Sequence, residues 1–162
     1  MSTNAQPFDV GLVIARLRAR AVHKDGLRLV EGRGAYAKVG SLREFATPCA
    51  YVLLAKETAM KTEASVSIPG EQHDLGQTMQ VGIGIVMAFS NYRGLQDGDE
   101  LRDELNAHVG AVRNHLLGWT PDVNGGRQLR LIGGDLEDYD ANVALWADRW
   151  QTQHFIQPEI AP

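Results

Sequence analysis

The segment Met79–Phe89, with the sequence MQVGIGIVMAF, predicts the central strand of the fold. Its odd-numbered residues are large and apolar, whereas its even-numbered residues are mostly small and include Gly82 and Gly84. Since successive side chains of a strand point to opposite faces, one face is predicted to enter the core and the other to be nearly bare. Glycines inside a strand often mark close approach by another backbone, so we expect a tightly docked helix or a neighbouring subunit over the bare face.

Two amphipathic segments are predicted to be helices, Phe8–His23 and Asp97–Leu117. In the first, the apolar stripe comprises Phe8, Leu12, Ala15, Ala19 and Val22, widened by Ile14 and Leu17. In the second, it comprises Leu101, Leu105, Val109, Val112 and Leu116, and Gly118 is predicted to end the helix.

Further strands are predicted at Leu27–Glu31, Cys49–Ala55, Gln128–Ile132 and Val143–Ile156. One helical turn is expected at Ser41–Phe45, with Ser41 and Glu44 spaced as in a capping box. The order of elements predicts a single α+β domain over residues 1–162, in which one mostly antiparallel sheet carries two main helices.

Three segments show no regular pattern. Residues 1–7 and 157–162 are expected to be loose termini. Residues 56–77 are expected to form a long loop, and loops of that length in compact domains are often functional.

The composition limits the classes of function. The net charge of −4 argues mildly against a general nucleic-acid binder, which usually carries a basic balance. The single cysteine, Cys49, allows no intramolecular disulfide. The N-terminus lacks the pattern of a signal peptide, and the longest apolar run is far short of the ~20 residues of a spanning helix, so we expect no membrane partner.

Acidic residues cluster in the segment Gly133–Ala141, which is predicted to be a turn: Asp135, Glu137, Asp138 and Asp140. Hard cations bind several oxygen ligands, so a divalent metal site is one interpretation. The spacing does not match an EF-hand, however, and we favour a solvated turn.

The candidates for catalysis are also weak. His73 lies beside Glu71 and Asp74 and could be a base, although a solvated loop histidine is the simpler interpretation. His108 and His115 lack the spacing of a helical zinc site, and Cys49 begins an apolar strand, which favours structural burial. No glycine-rich nucleotide motif or nucleophile elbow is present. We therefore predict no catalytic, metal or cofactor-binding residues and no enzyme activity.

Two sets of residues are candidates for an interface with another subunit or a partner protein, together with Gly82 and Gly84. Trp146 and Trp150 are four residues apart in a strand and share a face, which could lie in the core or in an interface. The other set comprises loop cations, which could contact acidic partners or could simply be solvated: Arg33, Lys38, Lys56, Lys61 and Arg93.

Several segments, taken in order, resemble the tail terminator proteins of long-tailed bacteriophages, also called minor tail or tail completion proteins. They are VGLVIARLRARA (residues 10–21), LRLVEG (27–32), TPCAYVLLA (47–55), the strand at 81–89, LLGW (116–119), LIGGDLEDY (131–139) and VALWADRWQTQHF (143–155). Their shared order and spacing carry the resemblance, which covers about residues 8–157.

The resemblance implies a structural virion protein without catalytic residues. Such proteins are thought to form a hexameric ring on the head-proximal end of the tail tube, where the ring stops tube polymerisation. The implied partners are other copies of the chain, the major tail tube protein and a head-completion or neck protein, while DNA passes through the ring without sequence-specific binding. Assembly is expected in the host cytoplasm. Two alternatives stay open: a head-side neck or connector protein, and a small enzyme or ligand-binding domain using His73 or the acidic turn.

Overall fold

The computed structural model describes residues 4–61, 68–72, 76–90, 98–140 and 142–159. These residues form three α-helices, one 3₁₀ helix and five strands. In chain order the elements are α1 (Gly11–Arg20), β1 (Leu29–Gly32), α2 (Arg33–Tyr36), the 3₁₀ helix Leu42–Glu44, β2 (Cys49–Ala59), β3 (Gln77–Ser90), α3 (Gly98–Leu116), β4 (Arg130–Tyr139) and β5 (Val143–Ile156).

The strands form one sheet in the order β1-β2-β3-β5-β4. β1 runs parallel to β2, and every other neighbouring pair is antiparallel. The predicted α+β class and mostly antiparallel sheet are thereby confirmed. β3 and β5 pair along their whole lengths, from Gln77 opposite Ile156 to Ser90 opposite Val143. The segment that suggested the fold is therefore the centre of the sheet.

The core lies between one face of the sheet and the two long helices. The odd-numbered residues of β3 from Val81 to Phe89 are buried there, as their alternation predicts. α3 contributes the predicted residues Val109, Val112 and Leu116. Because these side chains are large and apolar, their removal from water is the main favourable term in folding.

The predicted stripe of α1 differs from the face that the helix buries. Val13 and Leu17 are fully buried, whereas Ala15 and Ala19 are exposed. The bulky side chains orient the helix, since a buried valine or leucine removes more apolar surface from water than alanine does. The helix is also shorter than Phe8–His23. Asp9 Oδ1 accepts a hydrogen bond from Gly11 N at its start.

The second face of the sheet is partly covered. Val86 and Ala88 of β3 pack there with Cys49 and Tyr51 of β2. The segment from α2 to the 3₁₀ helix lies over this part, and the ring of Tyr51 has its centroid 5.5 Å from that of Tyr36 and 5.7 Å from that of Phe45. This face therefore holds a second, smaller apolar cluster.

The predicted loop over residues 56–77 begins later than expected. β2 continues through Lys56 to Ala59, which pairs with Met79 after a bulge following Leu54. The polar residues are accommodated because Lys56 and Thr58 are exposed, while the Glu57 carboxylate accepts hydrogen bonds. Residues 62–67 and 73–75, and with them His73, lie outside the described residues.

The predicted acidic turn Gly133–Ala141 is wrong, since most of it is strand. β4 starts at Arg130, two residues after the start of the predicted strand Gln128–Ile132, and runs on through Asp135 and Asp138 to Tyr139. It forms the edge of the sheet, where acidic side chains can stay in water while the backbone pairs with β5. The actual turn follows it, and Asp140 Oδ1 accepts hydrogen bonds from Asn142 N and Val143 N, each 2.7 Å long.

Two smaller expectations also differ. The 3₁₀ helix lies where one helical turn was predicted, but Ser41 makes no side-chain capping bond, and Glu44 Oε2 accepts from Gly40 N instead. The two termini were expected to be loose, but parts of them contact each other. Gln157 N donates a hydrogen bond to Asn4 O over 3.2 Å. Residues 1–3 and 160–162 lie outside the described residues.

Candidate assembly surfaces

The second face of the sheet is open around Gly82 and Gly84, and we call this area the glycine trough. In the strand register, Gly82 lies between Lys56 of β2 and Gln151 of β5. Gly84 lies in the same way between Leu53 and Arg149. Longer side chains thus flank a backbone without side chains, which makes a shallow groove with a cation on either side.

No helix of the described chain packs into this trough. A Cβ built on Gly84 would meet only the Cβ of Leu53, at 4.0 Å, and one on Gly82 would come no closer than 3.6 Å to the Lys56 carbonyl. Of the two alternatives predicted for the bare face, a docked helix or a neighbouring subunit, the docked helix is therefore wrong for the described residues. The covering segment packs with Val86 and Ala88 instead.

The two tryptophans of β5 share a face, as predicted, but their surroundings differ. Trp150 is 1% exposed and belongs to the core, so its ring supports the fold. Trp146 is half-buried, and its indole N–H donates to Asp148 Oδ1 over 2.8 Å. Of the two tryptophans, only Trp146 therefore keeps exposed surface for contact with a partner.

Asp148 between them is fully buried, and it connects α3 to β5. Arg113 donates two hydrogen bonds to its carboxylate, from Nε over 2.8 Å and from an Nη atom over 2.6 Å. The hydrogen bond to Asp148 raises the pKa of the Arg113 guanidinium. Gly134 of β4 lies against this group, because an added Cβ would collide with Asp148 Oδ1. The sequence showed Asp148 between the tryptophans but could not show its partner.

The predicted loop cations are placed as follows. Arg33 and Lys38 are exposed at either end of the α2 segment, which packs on β2. Lys56 is part of β2 and borders the trough, and Lys61 is exposed beyond the strand end. Arg93 lies outside the described residues. Arg149, which sequence reasoning missed, adds a cation on the far side of the trough, where it pairs with Asp135 at 3.4 Å.

The catalytic candidates are dispersed. Burial raises the pKa of the Cys49 thiol to about 11, so the thiolate that a nucleophile requires is disfavoured. His108 stacks on Phe89, with ring centroids 5.6 Å apart. His115 lies near Arg16 and Arg20, and burial first, then these charges and His23, lower its pKa. Within the described ranges, no group of three or more His, Cys, Asp or Glu side chains could hold a metal ion.

A second polar connection was not anticipated from the sequence. Glu57 Oε1 accepts a hydrogen bond from Phe8 N over 2.7 Å and lies 2.8 Å from His154 Nε2. The ring of Phe8 packs edge-on against His154. This group attaches the chain before α1 to β2 and β5. Glu57 fell in the predicted loop, so its position gave no reason to expect a core contact.

An open polar groove of about 590 Å³ lies near the start of β4 and the end of β5. It is lined by Thr120, Gly126, Arg127, Gln128, Arg130, Gln151, Thr152 and Gln153. This lining contains no carboxylate, histidine or cysteine side chain, and so it offers no general base of the usual kinds.

Comparisons with known proteins identify the family. No curated protein matches the chain. Among the described residues, no helix combines the length and the apolar character needed to cross a membrane. The model of the family described as Phage tail terminator protein matches residues 3–160, nearly the whole chain. The chain therefore belongs to the phage tail terminator protein family, whose members are structural components of the phage tail.

Proposed function

We propose that this protein closes the head-proximal end of the phage tail tube as a hexameric ring, ends tube polymerisation and joins the tail to the head. The ring assembles in the host cytoplasm, binds the major tail tube protein on one side and a head-completion or neck protein on the other, and lets DNA pass without sequence-specific contacts. The family match over residues 3–160 carries the proposal.

Two features of the described chain support an assembly role. The glycine trough leaves part of a sheet face uncovered, with Lys56 and Arg149 at its sides. The edge strand β4 pairs with β5 and exposes the large apolar residues Ile132, Leu136 and Tyr139. Exposed apolar groups on a sheet edge are typical of surfaces that another chain covers.

We assign the trough to contacts within this assembly, with a neighbouring ring subunit or with the tube. Lys56 borders the trough. The exposed cations Arg33, Lys38 and Lys61 are further candidates for contacts within the assembly. Trp146 lies on the opposite face of β5, near β4, and would take part in a subunit contact along that edge. The two kinds of contact are told apart by two measurements. Ring formation by the isolated chain reports on subunit contacts, and binding to tubes reports on contacts with the tube.

The decisive experiment measures mass and tube length. The purified chain is examined by light scattering, alone and with polymerising tail tube protein, and tube lengths are measured by electron microscopy. We expect a particle of six 17.8 kDa subunits, alone or at tube ends, and tubes that stop growing when the chain is added. A stable monomer that neither binds nor caps tubes would refute the proposal.

The position in the particle is tested separately. The chain is labelled and sought on headless tails and on tailless heads isolated from assembly-defective infections. Label on headless tails is the expected result. Label on tailless heads alone would show a head-side neck protein instead.

A further inference from the structure

One side of the helix layer carries concentrated positive charge, and we call it the basic surface. It comprises the cations at the end of α1 and in the segment after it, Arg20, His23, Lys24 and Arg28, together with His115 of α3, on which the charges of Arg20 and His23 act. All but His115 are exposed, and Asp25 is an acidic neighbour in the same loop. Among the described residues, Arg20, Lys24 and Arg28 make no ion pair. Their charge is therefore available to a partner.

The edge strand β4 carries the opposite charge. Glu137 and Asp138 are exposed at its end, and the large apolar side chains of the strand are 56% (Ile132), 49% (Leu136) and 70% (Tyr139) exposed. We call these five residues the acidic edge. Asp135 is outside the set because it pairs with Arg149. Apolar area and negative charge together on an outer strand of the sheet suit a protein partner that brings positive charge.

The two surfaces lie towards opposite sides of the molecule. α1 packs against β1, and Arg18 Nε donates to the Val30 carbonyl of that strand over 2.9 Å. The loop from Val22 to Leu27 leads directly into β1, with a bridge between its ends. β1 and β4 are the two outer strands of the sheet order. A copy of this chain therefore carries its basic surface near one edge and its acidic edge at the other.

We propose that the basic surface of one copy binds the acidic edge of the next copy, so that identical subunits join head to tail. This inference rests on the proposed ring, since a ring requires contacts between two different patches, whereas a patch that binds itself gives pairs. The opposite charges select this arrangement, because like charges placed together across an interface are repelled. Both surfaces are therefore assigned to the same kind of partner, another copy of this chain.

The test reverses each charge separately. The first variant is Arg20→Glu with Lys24→Glu, and the second is Glu137→Lys with Asp138→Lys. Ring formation is measured by light scattering over a concentration series and by electron microscopy of tube ends, after circular dichroism shows that both variants fold. In an assembly of either variant alone, every contact brings together two surfaces of like charge. We expect the concentration at half-assembly to rise about a hundredfold, since such repulsion costs several kcal/mol.

An equimolar mixture of the two variants is the sharper measurement. In alternating order, every contact joins opposite charges again, and a hexamer has the even number of subunits that alternation requires. We expect the mixture to restore assembly to within a few-fold of the wild type. Arg127→Glu, which reverses an exposed cation outside both surfaces, is the control and should assemble normally.

Several outcomes would overturn the inference. Normal rings from each variant alone would do so, and would leave the proposed function standing. A two-subunit particle abolished only by the β4 variant would show that β4 pairs with itself. Loss of binding to a short DNA duplex, with normal rings, would show that the basic surface serves DNA. Failure of the wild type to form rings or cap tubes would refute the proposed function as well.

Discussion

At the scale of single residues, the molecule depends on buried polar groups whose partners come from distant parts of the chain. Asp148 is fully buried and is satisfied by Arg113 and by the Trp146 indole. A buried carboxylate is costly unless it is paired and hydrogen-bonded, so these partners are as necessary as the apolar core around them.

Replacing Arg113 by glutamine should destabilise the fold strongly. Removing one partner of a buried ion pair leaves an uncompensated charge, and we expect a loss of about 3 kcal/mol in the free energy of unfolding, measured by urea denaturation. Arg149→Gln is the matched control. Its pair with Asp135 has both side chains more than 60% exposed, so the same substitution should cost less than about 1 kcal/mol. Equal losses would contradict the assigned role of Asp148.

His115 should make stability fall on acidification. Burial, then the neighbouring charges Arg20, Arg16 and His23, hold its pKa below the ordinary value of 6.5. The unfolded chain therefore binds a proton first, and the stabilising contribution is lost as pH falls from about 6.5 through the pKa of the folded state.

The measurement is the free energy of unfolding at pH 7.5 and at pH 5. We expect a smaller decrease for His115→Gln than for the wild type. His23→Gln is the comparison, because His23 is exposed and has the weakest effect among the three charges that lower the pKa of His115. If His115→Gln shows the same pH dependence as the wild type, the lowered pKa of His115 does not contribute to the free energy of unfolding.

At the scale of elements, α3 shows how backbone conformation decides the effect of a substitution. It contains Gly110, and Gly118 follows its end with φ +78. A Cβ at either position would meet nothing within 4 Å. The two glycines therefore differ in conformation and not in available space.

Gly110→Ala should stabilise the protein by about 0.5–1 kcal/mol, because glycine inside a helix loses more backbone entropy on folding than alanine. Gly118→Ala should destabilise it, since alanine disfavours the left-handed conformation. Thermal unfolding measures both, and shifts of about 2 °C in opposite directions are expected. Shifts of the same sign would contradict the conformations described for α3 and its end.

At the scale of the whole molecule, the assembly role proposed for the glycine trough can be tested separately from folding. Gly84→Val should leave the isolated chain folded, because the added side chain enters open space beside Leu53 and valine is favoured in strands. The same side chain would fill the trough, and well-packed contacts tolerate little added volume. We therefore expect normal thermal unfolding but reduced ring formation or tube capping.

Gly34→Ala provides the control, since a Cβ at this exposed glycine also meets nothing within 4 Å. It should leave both folding and assembly unchanged. If Gly84→Val assembles like the wild type, the trough is not an assembly surface. If it fails to fold, the packing described around Leu53 is incorrect.

The sequence by itself determined the central strand, the α3 face and the mostly antiparallel α+β sheet, because alternation and helical spacing are local patterns that a chain must follow to bury its apolar residues. It placed the start of β4 but not its continuation, whose acidic residues resemble a turn until β5 supplies hydrogen bonds along an exposed edge. Only the tertiary structure decided that Trp150 lies in the core, that Arg113 pairs with Asp148, and that the two glycines of β3 face an open trough. These outcomes depend on residues far apart in the chain, and local spacing carries no information about which of them meet.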